Sequence, residues 1–129
     1  MGLFDKLFGG TSESENEKEL PWIPLQHKHQ LGTIKAQSKT KPQFIFKHST
    51  RCGISRMVIN QFVKQYHLTE DQADLYYLDL LSFRDLSNAV ASEFQVWHES
   101  PQLLVVKDGK VVAHASHSAI NGLDLDGFV

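Results

Sequence analysis

The sequence predicts an α/β protein with a four-stranded mixed sheet flanked by helices. Strand-like apolar runs alternate with segments whose apolar residues recur at helical spacing, and such alternation gives parallel strands joined by right-handed crossovers. The last two apolar runs are separated by Lys107-Asp108-Gly109-Lys110, and Asp-Gly between apolar runs is a strong β-hairpin signal. The 129 residues, of which 41% are hydrophobic, suffice for one domain with its own core.

The first half of the domain is predicted to contain one helix and one central strand. We place its beginning near residues 21–24, where Pro-Trp-Ile-Pro is the first apolar stretch after a polar segment. Leu31 and Ile34 lie at helical spacing within residues 26–38, which predicts a helix. Residues 43–47, Gln-Phe-Ile-Phe-Lys, are aromatic and β-branched, and their three consecutive apolar residues indicate a strand buried on both faces.

A second helix is predicted from Gly53 to near Tyr66. Its core face is expected to consist of the apolar residues at positions i, i+3, i+4 and i+8, namely Ile54, Met57, Val58 and Phe62. Residues 75–80 predict the next strand, and Ser82-Phe83-Arg84-Asp85 resembles a capping box with Asp in place of Glu. The third helix repeats the same apolar spacing at Leu86, Ala89, Val90 and Phe94.

The two ends of the chain are predicted to lie outside the domain, which we place at residues 20–120. Residues 9–19 are polar and acidic, so residues 1–19 are predicted to be a disordered tail and linker. The apolar residues within residues 1–8 are interpreted as a frayed end, with a small docking or membrane-touching patch as the alternative. Residues 121–129 are predicted to be a surface tail, because their two aspartates do not match a calcium-loop pattern.

The charge balance argues against two classes of partner. Thirteen Lys and Arg residues against fifteen Asp and Glu residues give a net charge of −2, which disfavours nucleic acid and anionic membranes as main partners. The sequence also lacks the apolar run of about 20 residues that crosses a bilayer, and its first residues do not match a signal peptide. We therefore expect a cytoplasmic protein.

The single cysteine, Cys52, excludes an intramolecular disulfide and any Cys-x-x-Cys pair. It is either a small buried side chain or a reactive thiol. Cys52 lies between the strand that ends at Lys47 and the helix that begins near Gly53. The unpaired N–H groups and partial positive charge of a helix start stabilise a thiolate over a thiol, and Arg51 adds a full positive charge.

Two neighbours of Cys52 are candidates for positioning or activating its sulfur. Ser55 lies one helical turn after Cys52, so its hydroxyl is expected either to hydrogen-bond the thiolate or to accept a backbone N–H. His48 precedes Cys52 by four residues and is either a base that acts on the thiol or a strand-end histidine bonded to backbone. The seven histidines and one cysteine do not form the pattern of an intrachain zinc site.

Residues 47–55 read Lys-His-Ser-Thr-Arg-Cys-Gly-Ile-Ser. Cys-Gly-Ile-Ser is similar to the Cys-Gly-Phe-Ser of monothiol glutaredoxins, in which Ser replaces the second Cys of Cys-x-x-Cys. The full string more closely resembles the YtxJ-type monothiol bacilliredoxins of the bacillithiol system, whose motif is Lys-His-Ser, two variable residues, Cys, one variable residue and Ile-Ser. The resemblance covers most of residues 21–120 and implies a thioredoxin-like fold. It also implies that Pro101, after Ser100, has a cis peptide bond and faces the thiol.

This resemblance implies a thiol–disulfide oxidoreductase that removes bacillithiol, or a similar small thiol, from mixed disulfides on cytoplasmic proteins. Cys52 would be the catalytic nucleophile. Bacillithiol would be a co-substrate rather than a bound cofactor, and a second small thiol or a partner reductase would regenerate the cysteine. Residues 113–117, Ala-His-Ala-Ser-His, lack the Gly-Gly-small-Asp pattern with which glutaredoxins hold glutathione, so a different small thiol is favoured. The supporting residues would be Arg51, Gly53, Ser55, His48 and Pro101.

Two alternatives remain open from the sequence. Cys-Gly-Phe-Ser proteins bind iron–sulfur clusters between two subunits, so Cys52 could be an iron ligand in a cluster carrier. The other alternative is a non-catalytic interaction module of thioredoxin-like fold with an inert thiol.

Overall fold

The computed structural model describes residues 20–129. The predicted tail and acidic linker, including the apolar patch of Leu3, Phe4, Leu7 and Phe8, lie outside the described residues. The described part of the chain forms one sheet with helices on both faces. Its elements, in chain order, are β1 (Trp22–Pro24), α1 (His29–Gln37), β2 (Gln43–His48), α2 (Gly53–Gln65), β3 (Asp74–Asp79), α3 (Arg84–Phe94), β4 (Gln102–Lys107) and β5 (Lys110–Ser116).

The sheet has five strands in the order β1-β3-β2-β4-β5. Strands β1, β3 and β2 are parallel, whereas β4 is antiparallel to both β2 and β5. The mixed α/β fold is confirmed, but the prediction of four strands is wrong because β1 was missed. This three-residue strand includes Pro24 and follows Pro21. Proline has no N–H to donate to a neighbouring strand, so prolines in a sequence argue against a strand.

The sheet separates two cores, one on each face. Along β2, Ile45 packs with α1 and α3, while Phe44 and Phe46 pack with α2 on the other face. All six residues of β2 are buried, as the sequence predicted for a central strand. The apolar spacing of α3 is also confirmed, because Leu86, Val90 and Phe94 are buried and Ala89 packs against them.

The buried face of α2 differs from the predicted one. Val58 and Phe62 are buried as expected, but the third buried residue is Ser55, and Ile54 and Met57 are 57% and 72% exposed. The buried stripe runs through positions 55, 58 and 62, which share one helix face, so Ile54 and Met57 are turned away from the sheet. The predicted stripe of Ile54, Met57, Val58 and Phe62 overlaps the buried stripe only at Val58 and Phe62. The small polar Ser55 is buried in place of the two larger apolar residues.

The predicted capping box before α3 is absent. The N-cap is Phe83, without a side-chain cap. The hydroxyl of Ser82 instead donates to the carboxylate of Asp79 at 3.0 Å, and the same carboxylate accepts the N–H of Leu81 at 3.2 Å. Asp79 at the end of β3 therefore holds this turn, a role that the local spacing of residues 82–85 did not indicate.

The hairpin and the end of the chain complete the fold. Asp108 and Gly109 have φ angles of 53° and 82°, the left-handed pair that a type I′ turn requires, so the Asp-Gly prediction is confirmed. The domain does not stop at residue 120, because residues 121–129 continue through short 3-10 turns. Three side chains of this predicted surface tail pack against the core beside α2, namely Leu123, Leu125 and Phe128.

Candidate active site

Three loops meet at one edge of the sheet. His48 at the end of β2 is in register with Asp79 at the end of β3, and Lys47 is in register with Gln102 at the start of β4. The backbone N–H of Leu80 also donates to the carbonyl of His48 at 3.1 Å. The segments that follow β2 and β3 and the segment that precedes β4 therefore lie side by side, and Cys52 is in the first of them.

Cys52 is the N-cap residue of α2 and is half-buried. Its backbone is extended, with φ −102° and ψ 123°, and its carbonyl accepts the N–H of Arg56 at 3.0 Å as the first turn of the helix. Its own N–H donates to the carbonyl of Ser49 at 3.2 Å, which closes a tight loop behind it. The sulfur makes no hydrogen bond within residues 20–129. A thiol at this position lies at the positive end of a 13-residue helix and is accessible from solvent.

Ser55 and His48 form a buried pair beneath the helix start. The Ser55 hydroxyl accepts the N–H of Ser49 at 3.1 Å and lies 3.0 Å from Nδ1 of His48. Of the two roles predicted for Ser55, the structure has the backbone contact and no bond to Cys52. His48 is bonded to a side chain rather than to the backbone, and its ring lies 5.7 Å from that of Tyr77. The pair holds the Ser49–Cys52 loop from the buried side of the helix start. Because Cys52 ends this loop, both residues help to position its thiol.

Burial lowers the pKa of His48. The negative charge of Asp79 opposes this shift, and the positive charge of Arg56 reinforces it. The imidazole is therefore held neutral more strongly than a free histidine near pH 6.5. A neutral ring can bond the Ser55 hydroxyl as either donor or acceptor, which suits it to the buried site.

Lys47 is a buried cation on the opposite face of β2, and its side chain has no exposed surface. Its ammonium donates to the carbonyl of Ser87 at 3.2 Å and lies 3.3 Å from Nδ1 of His98. Burial lowers the pKa of Lys47 to about 8, so the side chain is still mostly charged at pH 7. The pKa of His98 is also lowered, mainly by burial and then by the positive charges of Lys47 and Arg84. The negative charge of Glu99 opposes this shift.

Arg51 makes no salt bridge with a carboxylate among the described residues. It lines a cavity of about 390 Å³ together with Thr50, Leu81, Ser82 and Arg84. Both arginines are exposed, and neither has a salt-bridge partner among the described residues. Two arginines thus line one cavity, and sequence reasoning had singled out only the first of them. Arg84 is 32 residues after Cys52, so no local motif could have linked them.

Pro101 has the cis peptide bond that the resemblance implied, after Ser100. It is buried, and its carbonyl accepts the N–H of His117 at 3.0 Å, which ties the loop before β4 to the end of β5. On the same loop, the Trp97 side chain is 90% exposed while its carbonyl accepts the amide of Gln102 at 2.8 Å. The loop is anchored through its backbone and presents an aromatic ring to solvent.

Ile54 and Met57 form an exposed apolar surface on the first turn of α2, directly after Cys52. Between them and the thiol lies Gly53, where a Cβ would meet nothing within 4 Å. The side of the helix start that faces solvent is thus apolar and uncrowded. Exposed apolar groups beside a partly exposed free thiol suit contact with another protein chain.

Comparison with known families agrees with this arrangement. Residues 23–125 match the family model described as monothiol bacilliredoxin BrxC. The chain belongs to the monothiol bacilliredoxin family. As a bacilliredoxin it is a thiol–disulfide oxidoreductase with one active cysteine, and the predicted family resemblance is confirmed.

Solved structures support the same fold for this bacilliredoxin. A protein assigned as an oxidoreductase with a thioredoxin fold is 34% identical, with a TM-score of 0.69 over 83% of this chain and 92% of the other. Thioredoxin from Malassezia sympodialis is 18% identical, with a TM-score of 0.61 over 80% and 84% of the two chains. Thioredoxin O2 from Arabidopsis thaliana is 16% identical, with a TM-score of 0.64 over 84% and 96%. The thioredoxin-like fold is therefore established.

The stretch that differs from glutathione-binding glutaredoxins is integrated into the bacilliredoxin sheet. Ala113, His114, Ala115 and Ser116 pair with β4 as part of β5. The Ser116 hydroxyl donates to the carboxylate of Glu99, next to the loop that carries Pro101. Within residues 20–129, no three His, Cys, Asp or Glu side chains are grouped so that they could hold a metal ion. In the same part of the chain, no helix has the length and apolar character needed to span a membrane.

Proposed function

We propose that this bacilliredoxin removes bacillithiol, or a similar low-molecular-weight thiol, from mixed disulfides on cytoplasmic proteins. The observation that carries the proposal is the placement of the chain's one cysteine, half-buried and accessible at the N-cap of α2. The Ser55–His48 pair holds the loop behind Cys52 from the core side. No other cysteine in the chain could complete a dithiol cycle.

The reaction proceeds as two thiol–disulfide exchanges. The Cys52 thiolate attacks the small-thiol sulfur of the mixed disulfide, so a bond forms between these two sulfurs. The bond between the small thiol and the substrate protein breaks, and the electron pair leaves with the protein sulfur, which takes a proton from water. A second small thiolate then attacks the small-thiol sulfur on Cys52. This releases the Cys52 thiolate together with a disulfide of two small thiols, which a partner reductase can reduce.

Transfer of the small thiol can be followed by intact mass. A test protein with one cysteine is loaded with a small thiol as a mixed disulfide and then mixed with the reduced bacilliredoxin. We expect the added mass to move to Cys52 and to be removed by free small thiol. Cys52→Ser should take up no mass, and Ser92→Ala, which changes an exposed serine on α3, should react like the wild type. Failure of the mass to reach Cys52 from any mixed disulfide would exclude the proposed function.

A further inference from the structure

The cavity that begins beside Cys52 carries two positive charges and no carboxylate in its lining. Its walls are Arg51 and Arg84, the hydroxyl residues Thr50 and Ser82, and Leu81. The carboxylate of Asp79, at the start of this turn, is engaged by the Ser82 hydroxyl and the Leu81 N–H. Arg51 and Arg84 therefore line the cavity without a salt-bridge partner in the described part of the chain.

We infer that this cavity binds a carboxylate of the low-molecular-weight thiol whose sulfur is exchanged at Cys52. The inference rests on the proposed function and names the chemical class of its small substrate. A guanidinium offers paired N–H donors that match the two oxygens of a carboxylate, and two such groups favour an anion over a neutral or cationic molecule. The bacilliredoxin would thus select small thiols by their negative charge.

The position of the cavity connects this binding to the reaction. Thr50 and Arg51 immediately precede Cys52 in the chain, so one wall of the cavity starts within one residue of the sulfur. Cys52, the residue that would hold the small thiol, directly follows this wall in the chain. The volume of about 390 Å³ lies in the range of small-molecule sites.

Arg84 provides the half of the site that does not belong to the cysteine loop. It is the first residue of α3, and its charge also acts on His98 in the loop that leads to Pro101. A bound carboxylate would be held between the loop that carries Cys52 and the start of α3.

The test compares three symmetrical disulfides of similar size: 3,3′-dithiodipropionate, bis(2-hydroxyethyl) disulfide and cystamine, which are anionic, neutral and cationic. In each case the Cys52 thiolate attacks one sulfur, a Cys52–S bond forms, the S–S bond breaks, and the other half leaves as a thiolate that takes a proton. The rate is the appearance of the adduct mass on Cys52. We expect the anionic disulfide to react about tenfold faster than the neutral one, and the cationic one to be slowest.

The deciding variant is Arg84→Gln, with Arg56→Gln as its matched control. Arg56 is also an exposed cation near Cys52, on the first turns of α2, but it does not line the cavity. We expect Arg84→Gln to lower the ratio of anionic to neutral rates about fivefold or more, and Arg56→Gln to leave this ratio within about twofold. Thermal midpoints of both variants, measured alongside, establish that each is folded.

Each outcome separates the inference from the proposed function. If Arg84→Gln and Arg56→Gln lower the ratio of anionic to neutral rates equally, general electrostatic attraction selects the anion. This result overturns the cavity inference, while exchange at Cys52 stands. An acidic peptide disulfide serves as a fourth substrate. If Arg84→Gln slows exchange with this peptide but not with dithiodipropionate, the cavity is assigned to protein substrates and the inference is overturned. If none of the three disulfides reacts at Cys52, the proposed function itself fails.

Discussion

The hydroxyl of Ser55 lies 3.0 Å from Nδ1 of His48, so the helix that carries Cys52 is bonded to the end of the central strand by two buried polar side chains. The same hydroxyl accepts the N–H of Ser49 in the loop between them. Strand, loop and helix start are thereby fixed to one another by one serine. The thiol depends on this arrangement for its position without touching either residue through a hydrogen bond.

Replacing Ser55 with alanine should therefore destabilise the protein. The change leaves the Ser49 N–H and the His48 ring without their partner in a buried site, which costs about 1–3 kcal/mol in the free energy of unfolding. Urea denaturation measures this loss, and Ser92→Ala on the exposed side of α3 should change it by less than about 0.5 kcal/mol. Equal stabilities for the two variants would contradict the structural role assigned to Ser55.

The stability of the protein should fall on acidification through the histidine range. Burial lowers the pKa of His48, so between its folded pKa and the ordinary value near 6.5 the unfolded state binds more protons than the folded state. Stability therefore rises with pH across this window, and the penalty is complete below the folded pKa. His98 contributes with the same sign.

The contribution of His48 can be isolated by urea denaturation at pH 7.5 and pH 5.5. We expect His48→Asn to lose less stability between these two conditions than the wild type, because asparagine does not take up the proton. His29→Asn is the control, since His29 is exposed at the start of α1. An acid sensitivity of His48→Asn that matches the wild type would rule out His48 as its source.

Lys47→Met should stabilise the protein at pH 7. The folded-state pKa of about 8 is below the ordinary 10.5, so at pH 7 the ammonium is charged in both states and its burial penalty is fully present. As the pH rises from about 8 to 10.5, the folded state loses this proton first and the wild type gains stability. The methionine variant, of similar size, should be about 1–3 kcal/mol more stable at pH 7, with a smaller gain at pH 9.5.

The exposed Lys39 provides the control for this prediction. Lys39→Met should leave the free energy of unfolding, measured by urea denaturation, within about 0.5 kcal/mol of the wild type at both pH values. A destabilised Lys47→Met variant would mean that the bonds of the ammonium to the Ser87 carbonyl and to His98 outweigh its desolvation.

Met57→Ser should impair exchange with protein substrates more than exchange with small disulfides. The side chain is 72% exposed, so its loss should change the free energy of unfolding by less than about 0.5 kcal/mol. We expect the ratio of protein to small-disulfide transfer rates to fall about three- to tenfold, because an apolar contact with the partner is lost. Val112→Ser, an exposed apolar residue on β5, should leave this ratio unchanged. If Met57→Ser and Val112→Ser have the same ratio of protein to small-disulfide transfer rates, Met57 does not contact the protein substrate.

Much of the fold followed from local patterns. Each predicted helix and strand exists, because apolar spacing of 3.6 or 2 residues reports which side of an element is buried. The strand β1 was missed because three residues flanked by proline carry no such period. The Ile54 and Met57 error has a different origin. Apolar residues at helical spacing indicate an apolar face, but only Val58 and Phe62 of the predicted face are buried, whereas Ile54 and Met57 are exposed.

The site was only partly predictable. The sequence motif Cys-Gly-Ile-Ser made Cys52 and Gly53 recognisable. Pro101 was recognisable because the family resemblance implies a proline at this position. The Ser55–His48 bond depends on a helix start folding back over the end of a strand, and the Arg51–Arg84 cavity depends on two loops that are adjacent only through the register of β2 and β3. Such pairings are properties of the sheet, and no local spacing in the sequence reports them.

Several exposed residues around Cys52 lie outside the two cores, and their position bears on how the family can diversify. Arg51, Ile54, Met57, Arg84 and Trp97 all lie on exposed surface at one edge of the sheet, while the buried clusters lie along its faces. Substitutions at these positions cost little folding free energy. A bacilliredoxin can therefore acquire a new small thiol or a new protein partner by ordinary surface mutation, without a compensating change in its interior.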